Sequence, residues 1–280
     1  MSAGSLLDTS VRLQAACRGR LRPVHIRGAM ATIDPQTERT LESFRDALTE
    51  QLGDELTSLV LFGSATGAHF TERVSDLNVL VVLDPPSTDS LLTIRAALQE
   101  HDPAPIDPLI VAPDELDRLP EAFPIETADM QAARRVLSGE DPIRDLTVRT
   151  EAMQRQLATE LLGKAMRLRS VYAQAEKLGD KQLRGILIQA IGPFSALMRA
   201  LLYVGDAHFA EFAPPREFLE VVAQLEDGFG LELEGFRKAS LIRSGTETPD
   251  GNELTEVFAT VLAEAQELQR IAETLRPEAA

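Results

Sequence analysis

The chain is poor in the residues that metal clusters and disulfide scaffolds need. One cysteine, Cys17, stands among 280 residues, which excludes an intramolecular disulfide framework and a cysteine-cluster metal site. The four histidines are scattered, with no pair at helical or finger spacing, so nothing supports a zinc enzyme. Positive charge is the next deficit. With 28 basic against 44 acidic side chains the formal net charge is −16, the opposite of the basic surface that a phosphate backbone requires. Nucleic acid is therefore not an expected partner. No secretory apolar segment is read at the start. The most apolar long stretch, Ile186 to Val204, holds Gln189, Gly192, Pro193 and Arg199, and suits a buried helix better than a membrane span. The expectation is a cytoplasmic protein with no membrane partner.

The charge is unevenly placed. Residues 1–29 carry five arginines and one acid, residues 30–147 carry eight arginines, no lysine and 23 acids, and residues 148–280 carry 15 basic and 20 acidic groups. These shifts divide the chain where its apolar pattern also changes. Residues 1–29 read as a flexible N-terminal extension, with little apolar periodicity and a second methionine at Met30. Residues 30–147 read as an α/β domain, and residues 148–280 as an all-α helical bundle.

In the α/β domain, Pro35 to Gly53 puts Leu41, Phe44, Leu48 and Leu52 on one helical face and closes on glycine. Leu56 to Phe62 reads as a buried strand, and Leu77 to Leu83 as a second one, stopped by Asp84-Pro85-Pro86. Ser90 to Gln99 is helical, Ile106 to Val111 is a third strand, and Pro113 to Leu119 is a helix with proline in its first turn. Ile125 to Ala128 reads as a fourth short strand, followed by a helix through Ala133 and Leu137. Alternating strands and helices give the α/β class. Beyond Gly139-Glu140-Asp141-Pro142 the strand signals stop. Five helices are expected there: Glu151 to Leu178, Gln182 to Val204, Pro215 to Phe229, Leu233 to Ile242 and Glu253 to Leu275.

The chemistry is concentrated in Leu59 to Leu83, LVLFGSATGAHFTERVSDLNVLVVL. A buried strand runs into Gly63-Ser64, and after an eleven-residue spacer Asp76-Leu77-Asn78 opens the next strand. Glycine lets a backbone approach phosphate closely, and Ser64 offers a hydroxyl and backbone donors to phosphate oxygens. Residues 76 and 78 are two apart on a strand, so their side chains leave one face. Carboxylates there would hold Mg²⁺ for an in-line displacement at an α-phosphate.

This arrangement resembles the nucleotidyltransferase superfamily that includes DNA polymerase β, kanamycin nucleotidyltransferase and the small MNT proteins. The family pattern is a hydrophobic residue, Gly, Gly or Ser, a spacer of about nine to thirteen residues, then Asp-x-Asp or Asp-x-Glu. Phe62-Gly63-Ser64, the spacer and Asp76 match it; Asn78 departs from it. An amide oxygen can coordinate Mg²⁺ but lacks the charge of a two-ion site. Three readings follow: one firmly held ion with a weaker second, a substitute carboxylate, or a site that binds nucleotide without transferring it.

The resemblance implies a nucleotidyltransferase-like α/β domain followed by the bundle. It also implies Mg²⁺-dependent transfer of an NMP from an NTP, with ATP first, to a hydroxyl of a small molecule or protein, releasing pyrophosphate. The alternative is a catalytically weakened or inactive relative with a nucleotide- or partner-binding regulatory role. Gly63, Ser64 and Arg73 are the nucleotide-binding candidates, and Asp76, Asn78 and Asp107 the metal candidates. Asp76 and Asp107 are the catalytic candidates, Asp107 as the third acid on a neighbouring strand and general base. Glu126 is the alternative third acid. Further cations lie in the bundle, where Lys164, Arg167, Arg169, Lys177, Lys181 and Arg184 meet only Glu176 and Asp180 in the same stretch. A homodimer is kept among the partners.

Overall fold

The computed structural model describes residues 35–66, 77–100, 106–205 and 217–275; the extension expected at residues 1–29 lies outside them. The chain divides into two compact units between Val148 and Arg149. The first is an α/β domain and the second an all-α bundle.

Strand β2 (Leu77–Leu83) is almost entirely buried, and β1 (Leu56–Phe62) is buried from Ser58 to Leu61. A strand covered on both faces needs apolar side chains on both, which is why these read as continuous apolar runs. They pair antiparallel. β3 (Ile106–Val111) joins β2 in parallel, and β4 (Arg134–Gly139) joins β1 antiparallel, giving the order β3-β2-β1-β4. A parallel pair needs a crossover, and helix α2 (Thr88–Glu100) supplies it.

Helix α1 (Pro35–Leu52) turns Leu41, Phe44, Leu48 and Leu52 inward at three- and four-residue spacing. With Ile94 and Ala97 of α2 they cover the sheet face made by Leu59, Leu61, Leu77, Val79, Val81 and Leu83. Each fully buried Leu or Phe contributes about 2 kcal/mol. The opposite face carries Val60, Leu80, Val82 and Val111. It packs under Leu116, Leu119 and Met130, from three short helices α3 (Pro113–Leu116), α4 (Leu119–Ala122) and α5 (Pro124–Ala132), and under Ile143.

Three expectations are corrected here. Ile125–Ala128 is not a strand but part of α5, where Pro124 occupies the first turn, a position with no helical hydrogen bond to lose. The fourth strand follows it, at Arg134–Gly139, where a helix was expected. As an edge strand β4 is only half-buried, so no alternation marks it, and pairing with β1 decides its conformation. The single helix expected from Pro113 to Leu119 is also two separate turns, α3 and α4, which aim Leu116 and Leu119 at the same face.

The bundle comprises α6 (Thr150–Tyr172), α7 (Ala175–Gly205), α8 (Phe218–Phe229), α9 (Glu234–Arg243) and α10 (Gly251–Thr274). The first helix ends at Tyr172 rather than Leu178. The second begins at Ala175 and is interrupted at Gly179, which has φ +71°. By length and composition α7 could cross a membrane; here it buries Leu187, Ile191, Phe194, Leu197 and Leu201. The Phe194 and Phe236 rings meet at 4.9 Å, tilted by 56°, and Tyr172 stacks on Phe258 at 6.2 Å.

One carboxylate enters this core. Glu264 of α10 accepts hydrogen bonds from the backbone N–H groups of Gly235, at 2.7 Å, and Phe236, at 2.9 Å. These belong to the first turn of α9, whose N–H groups have no partner within the helix. A Cβ on Gly235 would stand 2.7 Å from the backbone nitrogen of Val261, so glycine is what allows α9 to approach α10 this closely.

Candidate functional site

Gly63 closes β1. Its φ of +78° lies in the region that glycine adopts without strain. Its N–H donates to the Ala133 carbonyl at 3.2 Å, just ahead of β4, and its own carbonyl accepts from the Thr66 hydroxyl at 2.8 Å. Residues Gly63–Thr66 make a single 3₁₀ turn, and Ala65 holds it in the core shared with α1 and α2. The turn is thus fixed at three points.

It meets the start of β2. Phe62 pairs with Asn78, Asn78 pairs with Asp107, and Phe62 pairs on its other side with Arg134. Asp107, Asn78, Phe62 and Arg134 therefore form one row across the sheet, and residues in register leave the same face. That is the face carrying Val60 and Leu80, and the row is one step beyond them. Asn78 is half-buried and Asp107 is exposed. Adjacent strands lie about 4.8 Å apart, so both side chains can meet one bound group.

The contact between the turn and the row is close. A Cβ on Gly63 would stand 3.0 Å from Nδ2 of Asn78 and 4.0 Å from its Cγ. The amide nitrogen is the part of Asn78 that faces the turn, with its oxygen farther off.

The structure thus brings Gly63, Asn78 and Asp107 together. Asp76 and Arg73 lie outside the described residues, as does the side chain of Ser64, whose backbone is in the 3₁₀ turn. Glu126 sits exposed in the first turn of α5 and has no register position on the sheet. The bundle cations do not share one helix face. Lys164, Arg167 and Arg169 are on α6, while Lys177, Lys181 and Arg184 are on α7, with Gly179 breaking the helix between them. Arg184 is half-buried and donates to the Pro249 carbonyl, and Arg169 donates to Ala165 on its own helix at 3.3 Å.

Arg134 is the residue that sequence reasoning missed. It closes the row on the β4 side. Its Nε is 2.8 Å from Asp141, and it also donates to the Gln131 carbonyl. Gln131 in turn donates to the carbonyls of Ile143, at 2.8 Å, and Leu146, at 2.7 Å. The network ties the end of α5, β4 and the segment after it together. Its signal was hidden because β4 read as helix.

Among the described residues, no group of three His, Cys, Asp or Glu side chains is placed to hold a metal ion. Asp107 and Asn78 supply one carboxylate and one neutral amide. This pair falls short of the charge that a two-ion site needs.

No family model matches the chain, and no curated protein matches its sequence. Among solved structures it is similar to spectinomycin adenyltransferase AAD(9) from Enterococcus faecialis, crystallised with ATP and spectinomycin. The TM-score is 0.53 at 15% identity, covering 84% of this chain and 99% of that one. The chain shares the fold of that structure. At 15% identity the likeness rests on architecture: a mixed sheet entered through β1, the Gly63 turn and β2, followed by a helical unit. On this sheet, Gly63, Asn78 and Asp107 gather at one end.

Proposed function

We propose that the chain is a nucleotidyltransferase that moves a nucleoside monophosphate from an NTP, with ATP the first candidate, to a hydroxyl of a small molecule or a protein and releases pyrophosphate. The observation that carries this reading is the shared register of Asn78 and Asp107 beside the Gly63 turn. It puts an exposed carboxylate beside the amide that meets the Gly63 turn. The neighbour solved with ATP and spectinomycin supports a nucleotide and a small-molecule acceptor. The 23 acids and eight arginines of residues 30–147 favour a small or cationic acceptor over a polyanion.

In this reading Gly63 admits the phosphates, and Ser64 and Arg73 supply donors. Asp107 takes the proton of the acceptor hydroxyl as its oxygen attacks the α-phosphorus and pyrophosphate leaves. Mg²⁺, held chiefly by Asp76 with Asp107 and Asn78 beside it, would offset the charge on the phosphates. The test is incubation with Mg²⁺, each labelled NTP and a panel of hydroxyl acceptors, including the chain itself. Label transferred to one acceptor class supports the proposal.

A second reading is favoured by one residue. The neutral Asn78 stands where a two-ion site needs charge, which suits a weakened or inactive transferase with a nucleotide- or partner-binding regulatory role. Tight NTP binding with no label transferred to any acceptor would select it.

A further inference from the structure

The first turn of α9 is gripped by carboxylates from both neighbouring helices. Glu226, in the last turn of α8, accepts from the N–H of Leu233 at 3.2 Å and from the guanidinium of Arg237. Glu264 of α10 takes the N–H groups of Gly235 and Phe236, two of the donors that α9 cannot pair itself. With the exposed Glu234, three carboxylates gather at one helix terminus. Arg237 is the cation bonded there, and it is committed to Glu226 through two nitrogens. Among the described residues Glu264 makes no ion pair.

The remaining surroundings of Glu264 supply no counter-charge. Helices α6 and α7 also pack against α10, and the faces they bury are apolar throughout. On α10 itself Glu267 pairs with Arg270, and Lys238 of α9 is exposed. Hydration is shut out as well. A Cβ on Gly235 would stand 2.7 Å from the Val261 nitrogen and 3.0 Å from Oε2 of Glu264, and a gap that excludes a methyl group holds no water. An ionised Glu264 can therefore be hydrated only if α9 moves away from α10, and a buried charge without a partner is costly.

We propose that Glu264 is a proton-operated clamp: with its proton on, it holds the first turn of α9 to α10, and with the proton lost it lets that turn lift away from the rest of the bundle. The neutral carboxyl still accepts both N–H groups, one at each oxygen, and adds nothing to the charge of Glu226 and Glu234. Burial, with repulsion from those two carboxylates, pushes the carboxyl up to about 7 against the pull of the two N–H groups. The clamp therefore works near neutrality. It lies within the bundle and does not depend on the chemistry proposed for the sheet.

The test is hydrogen–deuterium exchange of the full chain between about pH 6 and 8, read by mass spectrometry and corrected for the base catalysis of exchange. The wild type is compared with Glu264→Gln and Glu234→Gln. In the wild type the amides of the first turn of α9 should be less protected than those of α6 at every pH. They should also lose about tenfold in protection over this range as one proton leaves. Glu264→Gln has no proton to lose and should change by less than about twofold. Glu234→Gln removes a repulsion that raises the Glu264 pKa, so its loss of protection should begin at lower pH than in the wild type. The wild-type and Glu234→Gln profiles decide the matter even where Glu264→Gln does not fold. Wild-type protection in α9 that is constant with pH, or a fall of equal size in Glu264→Gln, overturns the proposal. So does a Glu234→Gln profile that superposes on the wild type. Protection in α9 equal to that in α6 throughout also overturns it, because the turn would then be released only when the whole bundle unfolds.

Discussion

Asn78 and Asp107 occupy the same register position on adjacent parallel strands, so a neutral amide and an exposed carboxylate leave one face of the sheet side by side. Asp107→Asn keeps the size and removes both the charge and the proton-accepting oxygen. It should lower the single-turnover rate of nucleotidyl transfer by about 10²- to 10³-fold, while changing ATP binding by less than about threefold. An equal fall in rate and affinity would mean that Asp107 binds nucleotide rather than serving the chemistry.

Gly63 combines φ of +78° with a near neighbour in Asn78. Gly63→Ala is expected to destabilise the first unit by about 1–2 kcal/mol from backbone strain alone, measured by urea denaturation. Pairing it with Asn78→Ala removes the clash and leaves the strain, so the double variant should recover only part of the loss.

Arg134 and Asp141 are a half-buried ion pair, each about one-fifth exposed. Arg134→Ala leaves Asp141 and the Gln131 carbonyl short of a donor, and should cost about 1–3 kcal/mol. Because the two residues share one network, Arg134→Ala and Asp141→Ala together should cost less than their sum in a double-mutant cycle. Strict additivity would show the pair to be idle.

Glu264 gives the bundle a pH dependence. Burial pushes its carboxyl up to about 7 from an ordinary 4.5, against the opposing pull of the Gly235 and Phe236 N–H groups; repulsion from Glu234 and Glu226 adds to the rise. A carboxyl whose pKa is raised by folding holds its proton better in the native state. Its contribution is therefore fully present below about pH 4.5 and is lost as pH rises through about 7. The loss is on the order of 3 kcal/mol. Urea midpoints measured between pH 5 and 8 should fall for the wild type relative to Glu264→Gln, which carries no titrating proton there. Parallel profiles for the two proteins would contradict this.

The strand, Gly-Ser turn and second strand were legible in the sequence because β1 and β2 are covered on both faces and read as apolar runs with a glycine between. Position 78 was legible as a departure, while the facing of its nitrogen toward Gly63 was not, since that depends on a φ angle and a register. β4 was missed for a different reason. Arg134, Val136 and Ser138 are half-buried or exposed on an edge strand, and the β1 residues they pair with lie some seventy or more positions earlier. Tertiary pairing overrode local pattern there, and with it went the place of Arg134 in the row. Pro124 pointed to a helix start, and the apolar Ile125 and Ala128 around Glu126 concealed it. Glu264 left only a faint trace: it falls three residues after Val261 and four before Leu268, on the buried face of its helix.

The claim at the centre of this account is that the end of the sheet at Gly63, Asn78 and Asp107, with Asp76 beside it, performs nucleotidyl transfer. It is tested most directly by pyrophosphate release from ATP in Mg²⁺ with an acceptor panel, comparing the wild type with Asp76→Ala. The wild type is expected to release pyrophosphate and the variant to do so about 10²-fold or more slowly. Equal release by the two proteins, or none from a wild type that binds ATP tightly under every divalent metal tried, would contradict it.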